Sequence, residues 1–179
     1  MSRYWILCMS EDNYEIAKKQ GLIGMAERQR RAIQKLAIGD FLTFYISKKT
    51  VDSPPNDLAH KVQQFRGIAR VTGEAFESNE LIWHVREGEI FPQRRRVEFL
   101  AEGSAGVRPL IDKLSFVTNT TYWALPFQKG YVEISPKDFE MIQAAMRGLD
   151  SRHRWHLRPP QSFRRGAYPA WSSACIMSS

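Results

Sequence analysis

The chain has little cysteine: two in 179 residues, Cys8 and Cys175. Two so far apart make no disulfide framework, so a reduced, cytoplasmic protein is the expectation. No apolar run approaches the ~20 residues that a membrane helix needs. No basic start leads into an apolar stretch, so neither a signal peptide nor a membrane partner is expected. There is no Gly-rich phosphate loop, and no Ser-His-acid or Cys-His arrangement can be placed, so no residue is assigned as catalytic and no cofactor is called for.

Acids are missing from one region. Residues 151–179 hold five of the 26 Lys and Arg and none of the 19 Asp and Glu. Residues 1–150 therefore carry 21 basic and 19 acidic groups, a nearly neutral body, so a basic site there must be a local cluster. The stretch 150–179 is rich in Arg, Pro and Ser without periodicity and reads as a basic, disordered tail behind one domain at 1–149. Its His153 and His156, with Cys175, have no carboxylate nearby, and no metal is expected.

What the body does contain is a clear run of elements. Tyr4 to Met9 is a continuous apolar run and reads as a buried strand. Ser10 or Asp12 can cap a helix that carries acids in its first turn and Lys18 and Lys19 in its last, and that stops at Gly21. Residues 26–36 have helical spacing. Residues 41–47, 64–74 and 93–102 read as strands, with Gly67 marking a bulge or a close approach. "GSAG" (103–106) reads as a turn and 107–117 as holding a short helix. Ser135, Pro136, Asp138 and Gly148 frame the clearest helix, 135–149. Short strands with turns between them and helices at either end indicate an α+β fold, a small, partly open β-barrel flanked by helices.

In that order, "YWILCM…NYEIAKKQGLIGM", "IGDFLTFYI", "FRGIARVTGE", "EIFPQRRRVEF" and "FVTNTTYWALPFQKGYVEISPKDFEMI" resemble the EVE domain family, a branch of the PUA-like barrels related to the YTH domains. The resemblance spans roughly 3–146. It implies a PUA-like barrel and a role as a reader of modified bases, cytosine or adenine, in DNA or RNA. Asn13 falls where YTH domains place a base-reading Asn, Ile23 where they place a cage Trp, Trp83 near a second cage Trp, and Arg94 on the Arg of the "FP-x-R" strand. Ile23 forfeits aromatic stacking worth ~1–3 kcal/mol per base.

A pocket for an extruded base needs a flat apolar slot, polar groups for the base edge and cations for phosphates. The pocket set is Ser10, Asn13, Ile23, Tyr45, Trp83, Phe91, Arg94 and Trp123. Trp83 stands in a polar, irregular loop where a large ring has little reason to be core, whereas Trp5 reads as core. Trp123 can line either side, and Tyr45 shares a mixed strand face with Phe41 and Thr43. Asn13 is equally a first-turn helix residue. Arg28, Arg30, Arg31 and Lys129 are the phosphate candidates, with a solvated surface as the plain counterpart. The expected protein is a non-catalytic, monomeric nucleic-acid binder. The competing class is an enzyme of the ASCH type, a nucleoside amidohydrolase on the same barrel, for which Glu11, Glu15, Lys18 and Lys19 are the nearest groups.

Overall fold

Tyr4–Met9 forms β1, an interior strand of the sheet. It pairs parallel with β3 (Phe41–Lys48), Leu7 opposite Phe44, and antiparallel with β7 (Tyr131–Ile134). Buried on both faces, it reads as an unbroken apolar run rather than an alternation. The computed structural model describes residues 1–54 and 57–149. The expected tail, with His153, His156 and Cys175, lies outside the described residues.

The remaining strands are β2 (Leu22–Met25), β4 (Lys61–Val71), β5 (Phe76–Glu77) and β6 (Gln93–Gly106). The order is β2-β6-β4-β3-β1-β7, with β5 also on β6. The sheet curls into a half-barrel, and the helices are α1 (Glu11–Gln20), α2 (Arg30–Lys35) and α3 (Pro136–Leu149). This is the expected α+β, PUA-like architecture.

Two expected elements differ. "GSAG" is not a turn: β6 runs through it, with Ala105 opposite Phe65 and Gly106 opposite Gln64. Pairing with the long β4 overrides turn-like composition, and register shifts beside Gly67 take up the irregularity. There Tyr14 Oη lies 2.3 Å from where a Cβ on Gly67 would sit, and φ is +54°, so glycine serves both the backbone and the close approach. The helix over 26–36 is split into a 3₁₀ turn at Glu27–Gln29 and α2.

Cores form on both faces of the sheet. Trp5, Leu7, Leu42, Phe44, Ile46 and Val71 pack with Tyr14, Ile23, Ile33 and Leu36 on the side of α1 and α2. Ile6, Tyr45, Phe65 and Ile68 pack with Trp123, Phe127, Phe139 and Ile142 on the side of α3. Buried Asp40 joins the start of β3 to β1, accepting from Trp5 Nε1 at 3.0 Å and from the Arg3 and Ala37 amides at 2.9 Å. Among the described residues no helix is long and apolar enough to cross a membrane.

Asp138 secures α3. Its amide donates to Ser135 Oγ at 3.1 Å, Ser135 Oγ donates back to its carboxylate at 2.8 Å, and the Ser115 amide donates to it at 2.8 Å. Burial opposes ionisation of Asp138, but these donors outweigh it and hold the carboxyl below its ordinary value. A folded value below the unfolded ~3.9 gives stability that is fully present above about pH 5 and is lost as pH falls through the unfolded and then the folded value. Asp138→Ala is expected to cost about 2 kcal/mol at pH 7 and to flatten part of the decline below about pH 4, measured as urea midpoints across pH.

Candidate functional site

A cavity of about 590 Å³ opens where the parallel strands β1 and β3 end. Met9 and Ser10 come from the end of β1 and the start of α1, Ser47 and Lys48 from the end of β3. Gly24 and Met25 of β2 form another side, the loop 78–92 adds Trp83, Arg86, Glu89 and Phe91, and Gln128–Tyr131 close the last side. The ends of several strands and helices and one long loop thus supply the lining, which fits a site built at element ends on a rigid frame.

Trp83 is the main wall. It is 7% exposed, and its indole rests on Gly24 so closely that a Cβ there would stand 2.6 Å from Nε1 and 2.7 Å from Cε2. The Phe91 ring is 6.4 Å away, tilted by 49°. Among the described residues Trp83 Nε1 has no hydrogen-bond partner, and neither does Ser10 Oγ, although both atoms are buried. Buried polar atoms are nearly always paired, because an unmet one costs about 1–3 kcal/mol. Ser10 has N-cap backbone geometry, yet its hydroxyl does not cap α1. It lies near enough to help hold the Asp12 carboxyl down without reaching hydrogen-bond geometry.

The loop that carries Trp83 is latched from below. The Asn13 side chain donates from Nδ2 to the His84 carbonyl at 2.7 Å, and Oδ1 accepts from the His84 amide at 2.9 Å. Asp12 Oδ2 meets the His84 ring at 2.8 Å. Burial works to raise the Asp12 carboxyl, but the nearby Ser10 hydroxyl, the His84 ring and the Asn13 amide outweigh it, and the carboxyl sits below its ordinary value. Arg94, 2% exposed inside β6, ties both ends of the same loop: Nε donates to the Phe91 carbonyl at 3.2 Å and Nη2 donates to the Glu80 carbonyl.

Cations edge the opening: Arg28, Lys48, Arg86 and Lys129, with Glu89 as the acid among the lining residues. Arg28 pairs with Glu89 at 2.9 Å. Burial, and then the charge of Arg86, push the Lys48 ammonium below its ordinary value against the opposing charges of Asp52 and Asp12.

The structure brings Ser10, Asn13, Trp83, Phe91, Arg28 and Lys129 to one cavity. Asn13 differs from expectation in its use: its amide face is turned to the His84 backbone, so it orients a wall rather than offering its pair of polar atoms to a ligand. Arg94 lies behind the site and supports it. Ile23, Tyr45 and Trp123 are corrections. Ile23 is fully buried between α1, α2 and the sheet. Tyr45 stacks on Phe127 at 4.2 Å and meets Trp123 edge-on at 6.3 Å in the other core. Both faces of β3 are covered, so its mixed face meets a core instead of a pocket. Arg30 is paired with Glu27 and Glu77. Neither Arg30 nor Arg31 lines the cavity.

Gly24, Gln29, Lys48, Arg86 and Gln128 also line the site, and sequence reasoning missed them. Arg86 had a usable signal, standing three residues from Trp83 in the same polar loop. Lys48 had none, because its position depends on the parallel register of β3 with β1. The groups nearest to amidohydrolase chemistry are elsewhere: Lys18 pairs with Glu15 and Glu102, Glu11 with Arg66, on the outer face of α1. Cys8 lines the cavity, and burial pushes its thiol above the ordinary range, which disfavours the thiolate. No group of three or more His, Cys, Asp or Glu among the described residues is arranged to hold a metal.

Comparison with known proteins gives consistent matches. Residues 3–145 match the family described as the EVE domain. A UPF0310 protein of Mycobacterium avium is 31% identical over 144 residues, covering 79% of this chain and 96% of that protein. A UPF0310 protein of Pyrococcus horikoshii is 27% identical over 143 residues, covering 78% of this chain and 96% of that one. Among solved structures, the YTH domain of Zygosaccharomyces rouxii MRB1, in complex with N6-methyladenosine RNA, superposes with a TM-score of 0.52 at 16% identity, covering 80% of this chain and 85% of that chain. The YTH domain-containing protein mmi1, solved with RNA, gives a TM-score of 0.55 at 14% identity over 84% of this chain and 85% of that one.

Proposed function

This chain belongs to the EVE domain family, and from that membership and the cavity we propose that it is a non-catalytic nucleic-acid-binding module that holds one modified nucleobase. The observation that carries the reading is the cavity's composition. Trp83 and Phe91 offer flat apolar walls, Ser10 and Asn13 bring polar side chains to the lining, and Arg28, Lys48, Arg86 and Lys129 stand where flanking phosphates would pass. Stacking holds any base, polar atoms read its edge, and cations hold the backbone. Solved YTH structures with RNA, one of them with N6-methyladenosine, support a nucleic-acid partner for this fold.

Titration of short single and double strands of DNA and RNA, carrying 5-methylcytosine, N6-methyladenine or neither, at fixed salt, tests the reading. At least one modification is expected to tighten binding by about tenfold, equivalent to ~1.4 kcal/mol. Affinities that stay within about twofold across all probes, well under that ~1.4 kcal/mol step, would sink it. Lys48→Ala and Arg86→Ala are expected to weaken modified and unmodified strands alike. Removing one phosphate-binding cation should reduce the slope of log K against log salt by roughly 0.7 to 0.9.

A further inference from the structure

Beside the cavity runs a row of side chains that the binding reading does not use. Residues Leu125–Lys129 form a 3₁₀ turn that ends at Gly130. The same hydrogen-bonding pattern begins earlier, with the Leu125 amide donating to the Tyr122 carbonyl at 3.0 Å and the Phe127 amide to the Ala124 carbonyl at 3.1 Å. In this geometry residues three apart eclipse. Tyr122, Leu125 and Gln128 therefore stand in one file, and Gln128 is a cavity residue. At ~2 Å of rise per residue the file is about 12 Å long.

The outer members of the file are exposed, Tyr122 at 64% and Leu125 at 53%. They are also held in place. Asn119 Oδ1 accepts from the Thr121 and Tyr122 amides at 2.9 and 3.0 Å, and Trp123 beneath is buried against Tyr45 and Phe127. The backbone under the exposed ring is ordered, so a ligand stacking on it need order only the side chain. From Lys113 to Val132 the chain has no Asp or Glu, and Lys129 and Arg28 stand at the cavity end. Charge and continuity both point to a polyanion that leaves the cavity along this file.

We propose that Tyr122 and Leu125 form a track for the nucleotides flanking the base in the cavity, with Tyr122 stacking on a base of the same strand. The proposal rests on the cavity reading and adds that the partner is a single strand, not a free nucleoside. Its length suits about three nucleotides stacked at the ~3.4 Å spacing of one strand.

The test uses the full chain with two probes, a labelled short single strand carrying 5-methylcytosine or N6-methyladenine near its middle, and the matching modified nucleoside as competitor. Tyr122→Ala is expected to weaken the strand by at least about fivefold, the lower end for loss of one base–aromatic stack. The nucleoside should bind the variant as it binds the wild type, and Tyr122→Phe should keep strand affinity. Because Tyr122 is exposed, an unchanged melting temperature certifies the fold of both variants. Strand affinity unchanged in Tyr122→Ala, with the nucleoside still bound, overturns the track and leaves the cavity reading standing. Equal losses for strand and nucleoside place Tyr122 in the cavity and overturn the track as well. If neither probe binds the wild type, the cavity reading fails and the track with it. A dimer in sedimentation that Tyr122→Ala dissolves would assign the file to a second copy and overturn the proposal.

Discussion

Trp83→Ala is expected to lower affinity for the modified strand by about tenfold or more, in line with ~1–3 kcal/mol for one base–aromatic stack, and to erase most of the preference over the unmodified strand. It removes a wall that is 7% exposed, so some loss of stability will accompany it, on the order of the ~3 kcal/mol typical of buried aromatic truncations. Gly24→Val tests the seat of the indole without removing the ring. It keeps the tryptophan but puts a side chain where Trp83 Nε1 and Cε2 now lie within 2.7 Å of the Cβ position. The indole must leave its seat, at an overpacking cost of about 1–3 kcal/mol, and binding should fall as far as in Trp83→Ala. Fluorescence titration of the two variants with the same strands checks this. Full affinity in Gly24→Val would mean that the seated indole is not a wall of the site.

Asn13→Ala is expected to cost about 2–3 kcal/mol, since two hydrogen bonds go and the His84 amide and carbonyl are left without those partners. The loop should then open locally more often, visible as faster hydrogen exchange at the His84 amide. Affinity should fall by the fraction of molecules in which the wall is displaced. This outcome distinguishes a latch from a base reader. Were Asn13 reading a base, affinity would drop while His84 exchange and the urea midpoint stayed close to the parent values.

The latch explains why the first helix was legible in outline and misleading in detail. Helix boundaries at Ser10 and Gly21 follow from local rules, an extended N-cap and a left-handed stop with φ +61°. What the Asn13 amide touches is set by residue 84, 71 positions away in sequence, and no local pattern carries that. Ser10 shows the same split. The sequence marks it as a cap, and its backbone obeys, but its hydroxyl makes no cap bond to α1.

The aromatic residues divide on the same principle. Trp83, in a polar loop, was recognisable as out of place in a core, and it lines the cavity. Tyr45 and Trp123 were not separable from pocket residues by pattern, because alternation along β3 cannot reveal that a second core covers its other face. Arg94 was visible as an arginine at a strand entry. That its guanidinium would be buried and spent on the carbonyls of Glu80 and Phe91 depended on the path of a loop with no periodicity.

Sequence alone therefore determined the α+β class, the four longest strands and their order, the first and last helices and the presence of a tryptophan in a polar loop, since capping, periodicity and composition act over a few residues. The tertiary structure decided which charges meet at one mouth, which rings are walls and which are core, and which polar atoms stay unpaired. Those outcomes depend on sheet register and loop closure. The parallel pairing of β1 with β3 brings Ser10 beside Lys48, and the antiparallel pairing of β2 with β6 sets Gly24 opposite Arg94 and under Trp83. Contacts between residues so far apart in the chain are selected by the packing of the whole sheet, and no short stretch of sequence encodes them.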